Sequence, residues 1–133
     1  MGEARATGVL GLGLDLVEIE RIRLVISRQG ARFLDRVFTL GEREYCEAKA
    51  APAAFYAARF AAKEAVAKAF GTGIGAELGW LDIEVVKNAA GAPEICLGGK
   101  GVLLAQNRGV GRIFLSLTHT GGVAAASVVL QAG

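Results

Sequence analysis

The chain has 133 residues, with 15 basic and 13 acidic side chains and a formal charge of +2. Such a length fits one domain over residues 1–133 and permits a core without disulfides, and so balanced a charge excludes nucleic-acid binding by net charge alone, leaving electrostatic partners to local clusters. The two cysteines, Cys46 and Cys96, fit no CxxC or Cys/His spacing, which argues against zinc and for reduced thiols in a cytoplasmic protein.

Met1–Thr7 carries Glu3 and Arg5 and no apolar run, so no secretory leader is expected. Ala6 stands where N-myristoylation needs Ser or Thr. Val9–Leu14 reads as a first strand, and a helix follows over about Val17–Gln29. Its apolar positions Ile19, Ile22, Val25 and Ile26 recur at helical spacing, and Gly30 ends it. A second helix is expected near Thr39, where Thr39-Leu-Gly-Glu42 resembles a capping box; Tyr45 and Cys46 lie inside it. The longest helix runs from Pro52, which suits a first turn, through an alanine-rich stretch to Phe70, with Gly71 as its stop.

Beyond Gly75 the period changes from helical to alternating. Leu81–Lys87 and Pro93–Leu97 flank Asn88-Ala-Ala-Gly-Ala92 as a hairpin, a short helix is expected over Val102–Asn107, and Ile113–Thr118 pairs with Val123–Leu130. The last segment, Ile113–Gly133, has no formal charge over 21 residues, long enough for a bilayer. Its Ser116, Thr118, His119, Thr120, Gly121-Gly122, Ser127 and Gln131 favour two strands around a tight turn instead. The order of strand, helices and then mainly strands gives an α+β fold.

Gly11-Leu-Gly-Leu-Asp15 invites a dinucleotide-binding reading, but Leu16 stands where a third glycine is needed. What remains is Asp15 at the end of an apolar strand, either capping the next helix or serving as a metal ligand. On the long helix, Phe60, Glu64 and Lys68 are spaced by four and share a face. Glu64 and Lys68 alone would be an ordinary i,i+4 pair worth about 0.2–0.5 kcal/mol. The stripe, however, leads into Gly71-Thr-Gly-Ile-Gly75, a loop whose amides suit a phosphate, and Arg59, Lys63 and Lys68 set three cations on an alanine-rich segment. Mg²⁺ needs only one or two carboxylates when substrate phosphates complete its shell, so Asp15 and Glu64 suffice, with lysine and arginine holding the remaining charge. His119, the only histidine, is either structural beside an apolar strand face or a substrate contact at a strand end. Arg21, Arg28 and Arg32 fall near one line if helical phase continues past Gly30, and Arg36 follows. The local excess of arginine suits an acidic protein partner, against the alternative of a solvated surface.

These pieces resemble a known family. Gly13-Leu-Asp15 and Phe60-Ala-Ala-Lys-Glu-Ala-Val-Ala-Lys68 are similar to the two signature motifs of the 4′-phosphopantetheinyl transferases, and Ala69-Phe-Gly-Thr-Gly-Ile-Gly75 with Ser116-Leu-Thr-His-Thr120 resembles the compact bacterial type. The resemblance runs from about Val9 to Leu130. It implies that fold, a small mainly antiparallel sheet packed with a long helix and shorter ones. It implies Mg²⁺-dependent transfer of 4′-phosphopantetheine from coenzyme A to a serine of an apo acyl carrier protein, in support of fatty acid biosynthesis. It further implies Asp15 and Glu64 as metal ligands and Lys68 on the coenzyme A phosphates. Arg59, Gly71, Thr72, Gly73, His119 and Thr120 would contact the nucleotide end. Arg21, Arg28, Arg32, Phe33 and Arg36 would form the carrier-docking surface of a homotrimer with active sites at subunit interfaces. The general base stays open between a metal-bound water and a carboxylate. Two other functions fit the same residues: a small Mg²⁺-dependent nucleotide hydrolase, and a coenzyme-A-binding or carrier-docking module without catalysis.

Overall fold

The computed structural model describes residues 8–133; the reading of Met1–Thr7 as neither leader nor acylation signal lies outside them. In chain order the elements are β1 (Val9–Glu18), α1 (Ile19–Gln29), α2 (Ala31–Val37), α3 (Leu40–Glu47), α4 (Pro52–Phe70), β2 (Ile83–Lys87), β3 (Pro93–Leu97), α5 (Gly99–Arg108), β4 (Val110–Thr120) and β5 (Val123–Ala132). A 3₁₀ turn, Trp80–Asp82, leads into β2. β1, β5 and β4 form one antiparallel sheet with β5 central, and β2 and β3 form a two-stranded one. The α+β reading therefore holds.

α4 is the spine of the core. Ala57, Ala58, Ala61, Ala62, Ala65, Val66, Ala67 and Ala69 are buried on it, opposite Ala124, Ala126, Val128 and Leu130 of β5. Alanine favours the helix and is small enough to let a sheet lie close to its axis. β1 exploits this further. A Cβ on Gly13 would lie 1.8 Å from the Ala65 carbonyl oxygen, and one on Gly11 would lie 2.2 Å from that of Ala69. These glycines are therefore places where strand and helix backbones meet directly, which is why their spacing mimics a nucleotide fingerprint without being one.

Several boundaries move. β1 continues to Glu18 and α1 begins at Ile19, with Glu18 as N-cap and no side-chain cap. Asp15 thus sits inside the strand, and the helix-capping alternative falls away. α1 does not carry its phase past Gly30, whose φ of 56° and ψ of −130° break the helix; a separate α2 starts at Ala31. α5 opens three residues earlier than the apolar pattern suggests, because Gly99 and Gly101 pack against Asp82 and Leu78 where larger residues would clash. The expected capping box is present: the Glu42 amide donates to Thr39 Oγ1 at 3.2 Å, and the Thr39 amide donates to Glu42 Oε1 at 2.9 Å. The apolar C-terminal stretch is the β4–β5 hairpin, turned by Gly121 and Gly122 at φ of 57° and 85°. No helix among the described residues is long and apolar enough to cross a membrane.

Candidate active site

The close crossing of β1 over α4 determines where Asp15 stands. One step of two strand residues spans about 6.6 Å and one helical turn about 5.4 Å, so Gly11 and Gly13 meet Ala69 and Ala65 in succession. Asp15, the next residue on that face, arrives beside the polar edge of α4. Lys68 reaches back across the crossing: its Nζ donates to Asp15 Oδ1 at 2.8 Å and to the Leu14 carbonyl at 3.1 Å. The Asp15 side chain is 14% exposed and that of Lys68 50%.

Glu64 completes the cluster. It is half-buried, and it makes no ion pair among the described residues. The i,i+4 pair with Lys68 is therefore not formed; Lys68 serves Asp15. Burial first, and the Asp15 charge second, raise the Glu64 carboxyl above its ordinary value, while Lys68 and Arg21 pull it down. The hydrogen bond to Asp15 raises Lys68, against its small desolvation, and the charges of Asp15 and Glu64 add to the rise. Arg21, on α1, thus faces the same carboxylate from a second element. Two carboxylates that repel one another, with an ammonium already drawn to one, are a donor set a divalent cation would relieve. No group of three or more His, Cys, Asp or Glu side chains converges among the described residues, and an oxygen-preferring ion sharing a phosphate ligand needs only these two.

Two expectations change. Lys63 is not a phosphate contact: it is fully buried and donates to Glu42 Oε1 at 2.8 Å, the Trp80 carbonyl at 2.9 Å and the Ile83 carbonyl at 2.6 Å. Glu42 Oε2 in turn accepts from the Val85 amide at 2.7 Å. Desolvation lowers the Lys63 pKa, and the Glu42 charge opposes that. Lys63 lies one residue before Glu64, so it points about 100° around the helix, into the packing against β2. The glycine loop also works differently from a phosphate cradle. The amides of Gly71, Thr72 and Gly73 bond back to the carbonyls of Lys68 and Ala67 at 3.0–3.2 Å. Gly71 and Gly73, at φ of 79° and 65°, provide the left-handed turns that permit this. Gly75 donates to Leu78. Phe33 is a half-buried core aromatic, edge-on to Phe38 at 5.8 Å and tilted on Phe60 at 6.4 Å.

A second cluster lies around the N-terminal half of α4. Arg59 is 4% exposed; its guanidinium stacks 4.1 Å from the Tyr45 ring, and its Nε has no hydrogen-bond partner. It lines a cleft of about 180 Å³ with Tyr45, Phe55, Lys87, Thr118 and His119. His119 is exposed and sits edge-on to Phe55 at 5.3 Å. Thr120 is the exposed last residue of β4. Burial raises the Tyr45 hydroxyl, but Lys87, Arg59 and Lys49 outweigh it and bring its pKa below the ordinary value. Three cations gathered on aromatic rings give the cleft a positive field that would suit an anion. Sequence reasoning had Arg59 and His119; Tyr45, Phe55, Lys49 and Lys87 were missed because they come from three separate segments and carry no motif.

Of the proposed docking residues, Arg21 and Arg28 line a cleft with Glu20, Leu24 and Val25 of α1 and with Glu18 at the end of β1. Arg32 and Arg36 stand exposed on α2. Arg23 pairs with Glu20 and Asp35 with Arg43, which leaves Arg21, Arg28, Arg32 and Arg36 without ion-pair partners among the described residues. The break at Gly30 means these arginines belong to two helices, not one stripe.

The family model of the 4′-phosphopantetheinyl transferase superfamily matches residues 11–126. The holo-[acyl-carrier-protein] synthase of Anaeromyxobacter dehalogenans is 50% identical over 126 residues, covering 92% of this chain and 96% of that protein. That of Koribacter versatilis is 46% identical over 123 residues, covering 92% and 98%. Among solved structures, the Helicobacter pylori holo-[acyl-carrier-protein] synthase in complex with coenzyme A superposes with a TM-score of 0.81 at 34% identity, covering 90% of this chain and 99% of that one. The Neisseria meningitidis synthase reaches 0.86 at 32% identity, covering 92% and 98%.

Proposed function

The chain belongs to the 4′-phosphopantetheinyl transferase superfamily, and from that premise we propose how its residues perform the activity of a holo-[acyl-carrier-protein] synthase. Coenzyme A gives 4′-phosphopantetheine to a serine of an apo acyl carrier protein. The serine oxygen forms a bond to the pantetheine-side phosphorus, the phosphorus–oxygen bond to the nucleotide-side phosphate breaks, and adenosine 3′,5′-bisphosphate leaves. The serine proton passes to a base at the site.

The observation that carries this reading is the convergence of Asp15, Glu64 and Lys68 at the β1–α4 crossing. Asp15 and Glu64 would hold Mg²⁺ as its two carboxylate ligands, a number that suits an oxygen-preferring ion sharing a phosphate. When bound, Mg²⁺ supplies charge neutralisation at the pyrophosphate. Lys68, half exposed on the same edge, holds a phosphate oxygen. Arg59 with Lys87 and Lys49 binds the anionic nucleotide end in the cleft beside His119, with Thr120 at its rim. Gly71, Thr72 and Gly73 shape the wall beyond Lys68 with compact backbone, their amides being engaged in the helix cap. Arg21, Arg28, Arg32 and Arg36 receive the acidic carrier, with Phe33 fixing α2 from beneath.

Glu64 and Arg59 are five residues apart on α4, about 140° around its axis. One chain therefore presents the metal cluster and the anion cleft on different sides. A homotrimer, in which the β4–β5 end of one copy approaches the α4 edge of another, unites them. An apolar sheet face supports this: Leu10, Leu12, Leu14 and Leu16 project from β1 away from α4, Leu12 at 70% and Leu16 at 63% exposure, and Phe114 extends the surface from β4. A cytoplasmic location and service to fatty acid synthesis belong to the same reading.

The test is direct. The protein is incubated with coenzyme A, Mg²⁺ and an apo acyl carrier protein, and the carrier is weighed by mass spectrometry. The carrier should gain one phosphopantetheine, and Asp15→Ala and Glu64→Ala should each lower the rate at least about a hundredfold, the scale of losing an electrostatic contribution at the transition state. Cleavage of coenzyme A without any carrier would instead favour the hydrolase.

A further inference from the structure

The Lys68 ammonium rests on the carboxylate that the metal reading needs. Its Nζ is 2.8 Å from Asp15 Oδ1 and 3.1 Å from the Leu14 carbonyl. A Mg²⁺ ion on Asp15 would sit about 2.0–2.1 Å from its oxygen, which places two cations around one carboxylate at close range. They repel, so the lysine must give way as the metal arrives. Its side chain is half exposed, so nothing in the packing prevents that movement. Once it leaves Asp15, the ammonium has lost its acceptors at the site, and a pyrophosphate oxygen replaces them.

We propose that Lys68 is a displaceable counter-ion that couples metal binding to coenzyme A binding. In the free protein it satisfies Asp15 and holds metal affinity down. Coenzyme A draws it off, so each ligand strengthens the other by the same factor, as linkage requires. The site thereby takes up metal chiefly together with its pyrophosphate substrate. This rests on Asp15 and Glu64 being the metal ligands, and it adds to that reading a role for Lys68 in the absence of substrate.

Binding, not turnover, tests it. Mn²⁺ is titrated into the protein by electron paramagnetic resonance, with and without coenzyme A and with no carrier present. Wild type should bind Mn²⁺ more tightly with coenzyme A than without. In Lys68→Met, Mn²⁺ alone should bind roughly five- to tenfold more tightly, the discounted worth of a half-exposed charge-assisted hydrogen bond, and the enhancement by coenzyme A should shrink. Arg21→Met removes a cation that acts on Glu64 without bonding to Asp15, so it controls for simple charge loss. Its gain should be smaller and its coupling unchanged.

Equal gains in the two variants, or unaltered coupling in Lys68→Met, overturn the proposal while Asp15→Asn still abolishes Mn²⁺ binding. If wild type binds no Mn²⁺ even with coenzyme A, or Asp15→Asn binds it normally, the metal reading itself fails and the coupling with it. Lys68→Arg keeps the charge and the reach to Asp15, and it should resemble wild type in bare-metal affinity.

Discussion

Glu64 is held by neighbours that disagree about its charge. Burial and the adjacent Asp15 favour the neutral acid, whereas Lys68 and Arg21 favour the carboxylate, and the first pair prevails. A carboxyl whose folded pKa lies above its ordinary 4.5 keeps its proton in the native state after the unfolded chain has released it. The native state then binds more protons, so stability falls as pH rises from about 4.5 through the raised value. For metal-free protein, urea midpoints across pH 4–7 should show Glu64→Gln gaining on wild type as pH rises. An advantage that stays constant with pH would mean that Glu64 titrates normally. Cys46 shows the same effect of burial without a charged neighbour prevailing: desolvation pushes its thiol up to about 12. It is fully buried and Cys96 is exposed, so the two thiols, both free, differ in reactivity through environment alone.

At the scale of elements, two contacts join the segments that carry the site. One is the backbone approach of β1 to α4 through Gly11 and Gly13. Gly13→Ala would force a methyl to within 1.8 Å of a backbone oxygen, which neither strand nor helix can yield without moving Asp15. It should destabilise at or above the upper end of about 1–3 kcal/mol for overpacking. Gly75→Ala, where a Cβ meets nothing within 4 Å, should stay within about 0.5 kcal/mol. Urea denaturation of both checks the pair, and a mild effect at Gly13 would contradict the close crossing. The other contact is the buried Lys63–Glu42 pair, which ties α4 to α3, β2 and the 3₁₀ turn. Because every polar atom there is matched, its value lies in fixing one arrangement of α3 and β2, which carry Tyr45 and Lys87 to the anion cleft.

At the scale of the whole molecule, one sheet face is apolar and uncovered among the described residues. α4 covers the inner face, but the leucines of β1 alternate outward. The proposed homotrimer, closing over that face, would account for a strand that exposes Leu10, Leu12, Leu14 and Leu16 in register. Leu12→Glu places a charge on the face without touching α4. Size-exclusion chromatography with light scattering should show wild type at about three times the 13.8 kDa chain mass and the variant shifted toward monomer. On the proposed composite site, activity should fall along with the assembly, since the Asp15–Glu64 cluster and the cleft around Arg59 lie on different sides of α4. A monomeric wild type with full activity would remove the composite site.

The local pattern of the chain determined much of this. Alanines and a terminal glycine define α4, the Thr39–Glu42 box starts α3, and paired glycines turn the last hairpin, because each depends on residues close in sequence. The resemblance of the Asp15 and Glu64–Lys68 motifs also pointed to the β1–α4 crossing, where these three side chains converge. Tertiary structure alone decided the partners: Lys68 bonds Asp15 across 53 residues and not Glu64 at four. It also buried Lys63 against Glu42 and assembled the cation cleft from α3, α4, β2 and β4. Side-chain reach and desolvation depend on which surfaces meet, and a spacing of four along a helix makes neighbours without making partners. The Glu64–Lys68 stripe was legible as a candidate site, but the partner each side chain turns toward was set by the glycine crossing that brought Asp15 beside it.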